Sequence, residues 1–142
     1  MRLFLMMILC AGIYLLAGCG FEDSAEAYTG VWSWDSGSSF VFTCGSITEN
    51  HTLRGNESFI RGSSSDLVMS GTCNLRFDVT GDVANLAGSQ TCTSDEGTKN
   101  HWTSWTFTRS GESMTTNASG TAETDSLDCS ISVNGALTRV GN

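Results

Sequence analysis

Four cysteines, Cys44, Cys73, Cys92 and Cys129, are the residues of this chain best placed for covalent chemistry, and that chemistry is pairing. None stands in a C-x-x-C spacing, and the two histidines, His51 and His101, lie in polar stretches, so a metal site is not expected. An even set of thiols outside a metal pattern predicts two disulfides in an oxidising compartment, with three connectivities open. Strand parity orders them. Cys44 alternates with Phe40 and Phe42, Cys73 with Leu75 and Phe77, and Cys129 with Leu127, Ile131 and Val133, so these sulfurs face a core. The preferred pairing joins Cys73 to Cys92 within one hairpin and Cys44 to Cys129 to close the domain.

Catalytic patterns are missing from the sequence. There is no G-x-S-x-G elbow, P-loop or H-E-x-x-H. His101 beside Trp102 is the nearest approach to a catalytic group, but a lone histidine in a polar stretch reads as solvated, so no catalytic residue is assigned and the protein is not read as an enzyme. "TSDEGTKNH", residues 93–101, gathers Asp95, Glu96 and Asn100 around Gly97 without the 1, 3, 5 oxygen spacing of a calcium loop, and predicts a hairpin turn. No metal and no cofactor is expected. The net charge of -8, with Lys99 the only lysine and arginines 54, 61, 76, 109 and 139 scattered, argues against nucleic-acid binding. It argues equally against attraction to anionic lipid.

The elements that hold these residues are strands. The 142 residues suit one domain, and 39% hydrophobic residues with 15% charged, 16 glycines and no proline suit a β-rich one with hydroxyl-covered faces. Apolar residues alternate in short runs broken by Gly, Asn, Asp and Ser. "YTGVWSW" places Trp32 and Trp34 on one face. "WTSWTFT" places Trp105 with Phe107, opposite Trp102. Turns are expected at Asp35–Ser38, at Gly81-Asp82 and at Asn134-Gly135, the last the strongest two-residue hairpin signal. The fold class is all-β, with about eight to ten short antiparallel strands that fit an up-and-down β-barrel and a two-sheet β-sandwich alike.

Residues 1–18, "MRLFLMMILCAGIYLLAG", combine Arg2 with an apolar run shorter than the roughly 20 residues that span hydrocarbon, and so predict a signal peptide. The run ends in Leu16-Ala17-Gly18-Cys19, which matches the lipobox of bacterial lipoproteins. The resemblance implies that the Cys19 thiol receives a diacylglycerol, that cleavage falls just before it, and that the new amine is acylated. Cys10 would leave with the signal. Gly20, where an Asp would signal retention, implies the outer membrane rather than the inner. Small, acidic residues 19–27 read as a tether with too little apolar content to pack, and residues 28–142 as the β domain.

Within that domain, Gly30-x-Trp32 in the first strand and Arg139 in the last resemble the signature of the calycin group, the lipocalins and avidin-like proteins. There a tryptophan closes one barrel end and an arginine packs over it, so the resemblance implies the antiparallel up-and-down β-barrel, with the two-sheet β-sandwich as the alternative. Trp34 stands where the avidin-like family has a polar ligand-binding residue, so biotin binding does not carry over. Trp32, Trp34, Trp102, Trp105 and Arg139 are the candidate ligand-binding residues, although a domain this small also needs its tryptophans as core. The expected protein is a membrane-anchored cell-envelope lipoprotein, a monomeric non-catalytic binding or interaction module for an envelope protein or a small hydrophobic ligand. Alternatives are a calycin-like carrier of such a ligand, and an envelope enzyme or enzyme inhibitor. Lipoprotein inhibitors of lysozyme share the barrel plan, but their Ser-Gly-x-x-Tyr loop is missing here.

Overall fold

A computed structural model describes residues 24–124 and 128–142. The signal segment with Cys10, the lipobox with Cys19, and Leu127 lie outside the described residues. Among those described, alternating apolar and polar side chains produce eleven antiparallel strands. They are β1 (Gly30–Trp34), β2 (Ser39–Cys44), β3 (Ile47–Thr52), β4 (Asn56–Arg61), β5 (Leu67–Ser70) and β6 (Leu75–Thr80), followed by β7 (Val83–Leu86), β8 (Gln90–Thr93), β9 (Lys99–Ser110), β10 (Ser113–Glu123) and β11 (Asp128–Gly141). Eight of them, in the order β1-β4-β5-β6-β7-β9-β10-β11, form a ring that closes where β11 pairs with β1. The fold is thus the up-and-down barrel and not the sandwich. Closure removes the exposed edges that an open sheet of this size would present.

The remaining strands lie outside the ring. β9, β10 and β11 are long, with 12, 11 and 14 residues. Only part of each is needed for the barrel. Trp34 and its neighbours in β1 pair with residues 137–141 of β11, while β2 pairs with Ser130–Asn134 and carries β3 on its far side. β8 pairs with the start of β9. The long strands therefore rise past one barrel rim into a second, open sheet.

Two expected hairpin turns are corrected by this arrangement. Asp35–Ser38 joins β1 to β2, which pair with successive stretches of β11 and not with each other, so the segment is a step along one strand. Asn134-Gly135 lies inside the continuous β11. Its glycine answers a close approach and not a turn: a Cβ at Gly135 would collide with the side chain of Ser38. The Ser38 hydroxyl fills that space, accepting from the Ala136 N–H at 3.1 Å and donating to the Ala136 carbonyl at 3.0 Å. Gly81-Asp82 does turn, between β6 and β7, with Gly81 at φ 58°. The 93–101 stretch is the β8–β9 hairpin, closed by Ser94 N–H to Thr98 O and Gly97 N–H to Ser94 O.

Both preferred disulfides are present. Cys44–Cys129 links β2 to β11 with a Cα separation of 4.5 Å across 85 residues of sequence, and Cys73–Cys92 has a Cα separation of 5.5 Å. The second is not confined to one hairpin, because β8 pairs with β9 and not with β6. Instead the Gln90 side chain stands in for a strand, accepting from Arg76 N–H at 2.9 Å and donating to Arg76 O at 2.7 Å.

The barrel interior is filled. Phe59, Phe77 and Phe107 meet edge to face, with centroids 5.2 and 5.3 Å apart, and Leu67, Met114 and Leu137 are fully buried among them. Serines, threonines and charged residues such as Arg76 and Asp78 face outward. This is the reverse of a membrane-spanning barrel, which turns its apolar residues to lipid.

Candidate functional site

The barrel has two unlike ends. One is plugged. The chain enters there through a 3-10 turn, Glu26–Tyr28, which places Tyr28 and Trp32 fully inside. The Trp32 indole N–H donates to Tyr28 O at 2.8 Å, and the Tyr28 hydroxyl donates to Asp82 O at 2.6 Å. The Arg139 guanidinium sits 4.6 Å above the Trp32 ring, donates to the carbonyls of Ala27 and of Thr29 (2.8 Å), and pairs with Glu112 at 2.8 Å. Trp32 and Arg139 are also direct partners across the β1–β11 ladder, so this contact locks the first strand to the last. Arg109 bridges Asp82 at 2.9 Å on the same end. Acidic composition suggested an unpacked tether up to residue 27, yet Ala25 is only 2% exposed and Ala27 is bound by Arg139. Small side chains let the turn settle onto the rim, and its free carbonyls need a donor.

The opposite end is a mouth beneath the second sheet. It holds a cavity of about 270 Å3 lined by Glu57, Met69, Leu75, Asn100, Trp102 and Trp105, with the Cys73–Cys92 bridge at its rim. That volume is close to the lower bound for small-molecule sites. Glu57 reaches it from β4 and accepts from the Trp34 indole N–H at 2.9 Å. The Trp105 N–H is taken by the Thr116 hydroxyl at 2.8 Å. Trp102 and Trp105 lie side by side, centroids 4.6 Å apart.

That last pairing corrects the expectation that Trp102 faces away from Trp105. A bulge in β9 opposite Ser119 and Gly120 inserts one extra residue, so two positions three apart both point inward. Gly120 permits it, since a Cβ there would strike the His101 carbonyl. The five predicted ligand-binding residues therefore separate: Trp102 and Trp105 line the mouth, Trp34 holds its carboxylate, and Trp32 with Arg139 form the distant plug. Neither histidine lines the mouth. His51 is exposed on β3, 3.3 Å from Glu49, and His101 is exposed with its Nδ1 2.5 Å from the Thr91 hydroxyl. Glu57 escaped sequence reasoning, although "NESFIR" puts it two residues before Phe59 and thus on the inward face. A larger groove of about 400 Å3, bordered by Val31 and Ile60, lies on the outer wall at the plugged end, beside the chain's entry.

No family model matches the sequence, and no curated protein matches it. In fold the chain is similar to the crystal structure of a "putative outer membrane protein" from Bacteroides fragilis, with a TM-score of 0.50 at 17% identity. The match covers 80% of this chain and 52% of that one, so this chain spans about half the length of its structural neighbour. At that identity the likeness concerns the fold alone.

Proposed function

We propose that this is a lipid-anchored protein of a bacterial cell envelope whose barrel acts as a non-catalytic binding module, with the mouth as its working face. The observation that carries the proposal is the polarity of the barrel. The described chain begins, at residue 24, at the plugged end, and the aromatic mouth opens at the other. Acyl chains on Cys19 would contribute about 0.8 kcal/mol per buried CH2, enough with two or three chains to hold a soluble domain at a leaflet. The polar outer wall suits a domain that stands in water beside the membrane. The outer-membrane description of the structural neighbour agrees with that address, as does Gly20.

A calycin-like carrier gains support from Arg139 over Trp32, which is the contact the resemblance implies. Carriage inside the lumen is disfavoured by the phenylalanines and tryptophans that fill it. A binding role at the mouth needs no such space.

The test is the mass of the N-terminal peptide from membrane-extracted protein. It should begin at Cys19 and carry two or three fatty acyl groups, and Cys19→Ser should lack them. A peptide starting elsewhere, or an unmodified Cys19, contradicts the proposal.

A further inference from the structure

We infer that the mouth binds a small organic cation, an alkylammonium group, with Glu57 as counter-ion and Trp102 and Trp105 as its aromatic wall. The inference rests on the reading of the mouth as the working face and adds the chemical class of the ligand.

The lining decides the charge. Among the described residues Glu57 is the only ionisable side chain on the cavity; its other polar neighbours, Ser70, Thr72 and Asn100, are neutral. One carboxylate oxygen accepts from the Trp34 N–H, a neutral donor that fixes the group in place without neutralising it. Among the described residues no basic side chain lines the cavity, so a cation entering it meets the Glu57 carboxylate without a competing positive charge from its lining. An anionic ligand would meet the carboxylate unshielded, and the chain's net charge of -8 disfavours it further.

The walls decide the rest. Indole faces carry negative quadrupole potential and attract ammonium groups, most strongly where water is partly excluded. Trp102 and Trp105, inclined at 56° to one another, both line the cavity and are otherwise buried, at 5% and 6% exposure. Met69, Leu75 and the disulfide supply apolar contact for alkyl substituents. The cavity's volume, about 270 Å3, accommodates a small head group. The ammonium could belong to a free amine or to a lysine side chain of an envelope partner, and the experiment separates these sources.

The experiment titrates the full mature protein in detergent, at fixed ionic strength, with choline chloride, n-butylammonium chloride and Nα-acetyl-lysine amide. Tryptophan fluorescence and calorimetry are the readouts, and 3,3-dimethyl-1-butanol serves as the uncharged isostere of choline. At least one cation should bind saturably and the isostere should not; preference for the lysine derivative points to a protein partner, preference for choline or butylammonium to a free amine. Glu57→Gln should weaken binding at least tenfold with unchanged near-ultraviolet circular dichroism, because its amide oxygen still accepts from Trp34. Asn100→Lys, which sets a positive charge at the rim without touching the core, should weaken it comparably and serves if Glu57→Gln does not fold. No binding of any cation, equal binding of the isostere, or undiminished binding by a folded variant overturns the inference. An acylated Cys19 with no cation binding would leave the anchored module standing and remove only its ligand class.

Discussion

Tyr28 shows how much a single side chain reveals about the plugged end. It is fully buried, its hydroxyl donates to the Asp82 carbonyl, and Arg109 lies 5.9 Å above its ring. Burial pushes its pKa up to about 12, against smaller downward pulls from Arg109. The folded state therefore holds the phenolic proton more tightly than the unfolded chain, whose tyrosine titrates near 10. The resulting stability is complete below pH 10 and is lost as pH rises through about 12. The chain has two tyrosines, Tyr14 and Tyr28, so a protein starting at Cys19 retains only the second. Its tyrosinate absorbance should appear with a midpoint near 12, accompanied by unfolding; a midpoint near 10 in folded protein contradicts the plug. The tryptophan and arginine of that plug were legible in advance, because two residue types at the two chain ends carry a recognisable pattern. Glu57 was not. Nothing local distinguishes an acid that faces a cavity from one that faces water, except the parity it shares with Phe59.

Strands were legible where the period of two was unbroken. Trp32 with Trp34, Leu75 with Phe77, and Ile131 with Val133 all face inward as alternation requires. Reading failed where a partner far along the chain sets the geometry. The β9 bulge depends on Gly120, and the straight run of β11 through Asn134-Gly135 depends on Ser38, 98 residues before the Ala136 it bonds. Glycine serves both turns and close approaches, and only the tertiary neighbour says which. The distinction is measurable. Asn134 is exposed in β11, its side chain donating across to Asn117 at 2.7 Å, so Asn134→Thr should change stability by less than about 0.5 kcal/mol in a urea melt. Gly135→Ala should cost about 1 to 3 kcal/mol through overpacking against Ser38. Were the pair a two-residue turn, Asn134→Thr would be the damaging change as well.

At the scale of the whole molecule, the disulfides and the plug divide the work. Cys44–Cys129 ties the second sheet to the barrel and removes entropy from an 85-residue loop of the unfolded chain, while Cys73–Cys92 braces the mouth. The plug fixes where the chain enters. Ala25 follows Cys19 by six positions, so in the proposed anchored form the plugged rim would stand at most roughly 20 Å from residue 19. The all-β class was legible in the alternation, the barrel in the pattern shared by Gly30-x-Trp32 and Arg139, and the two disulfides in the even number of cysteines, with strand parity favouring the pairing found. The unlike ends did not, because they arise from closure of β1 on β11, which composition does not encode.

The orientation this implies is the central claim, and bilayer-phase quenching tests it most directly. A fluorophore is placed at Ser110, exposed beside the plug, or at Ser46, exposed in the turn between β2 and β3 beyond the mouth. The acylated protein is then reconstituted into vesicles containing a nitroxide lipid. Emission from position 110 should be quenched markedly more than that from position 46. Equal quenching, or stronger quenching at 46, would contradict a barrel that turns its plug to the membrane and its mouth away.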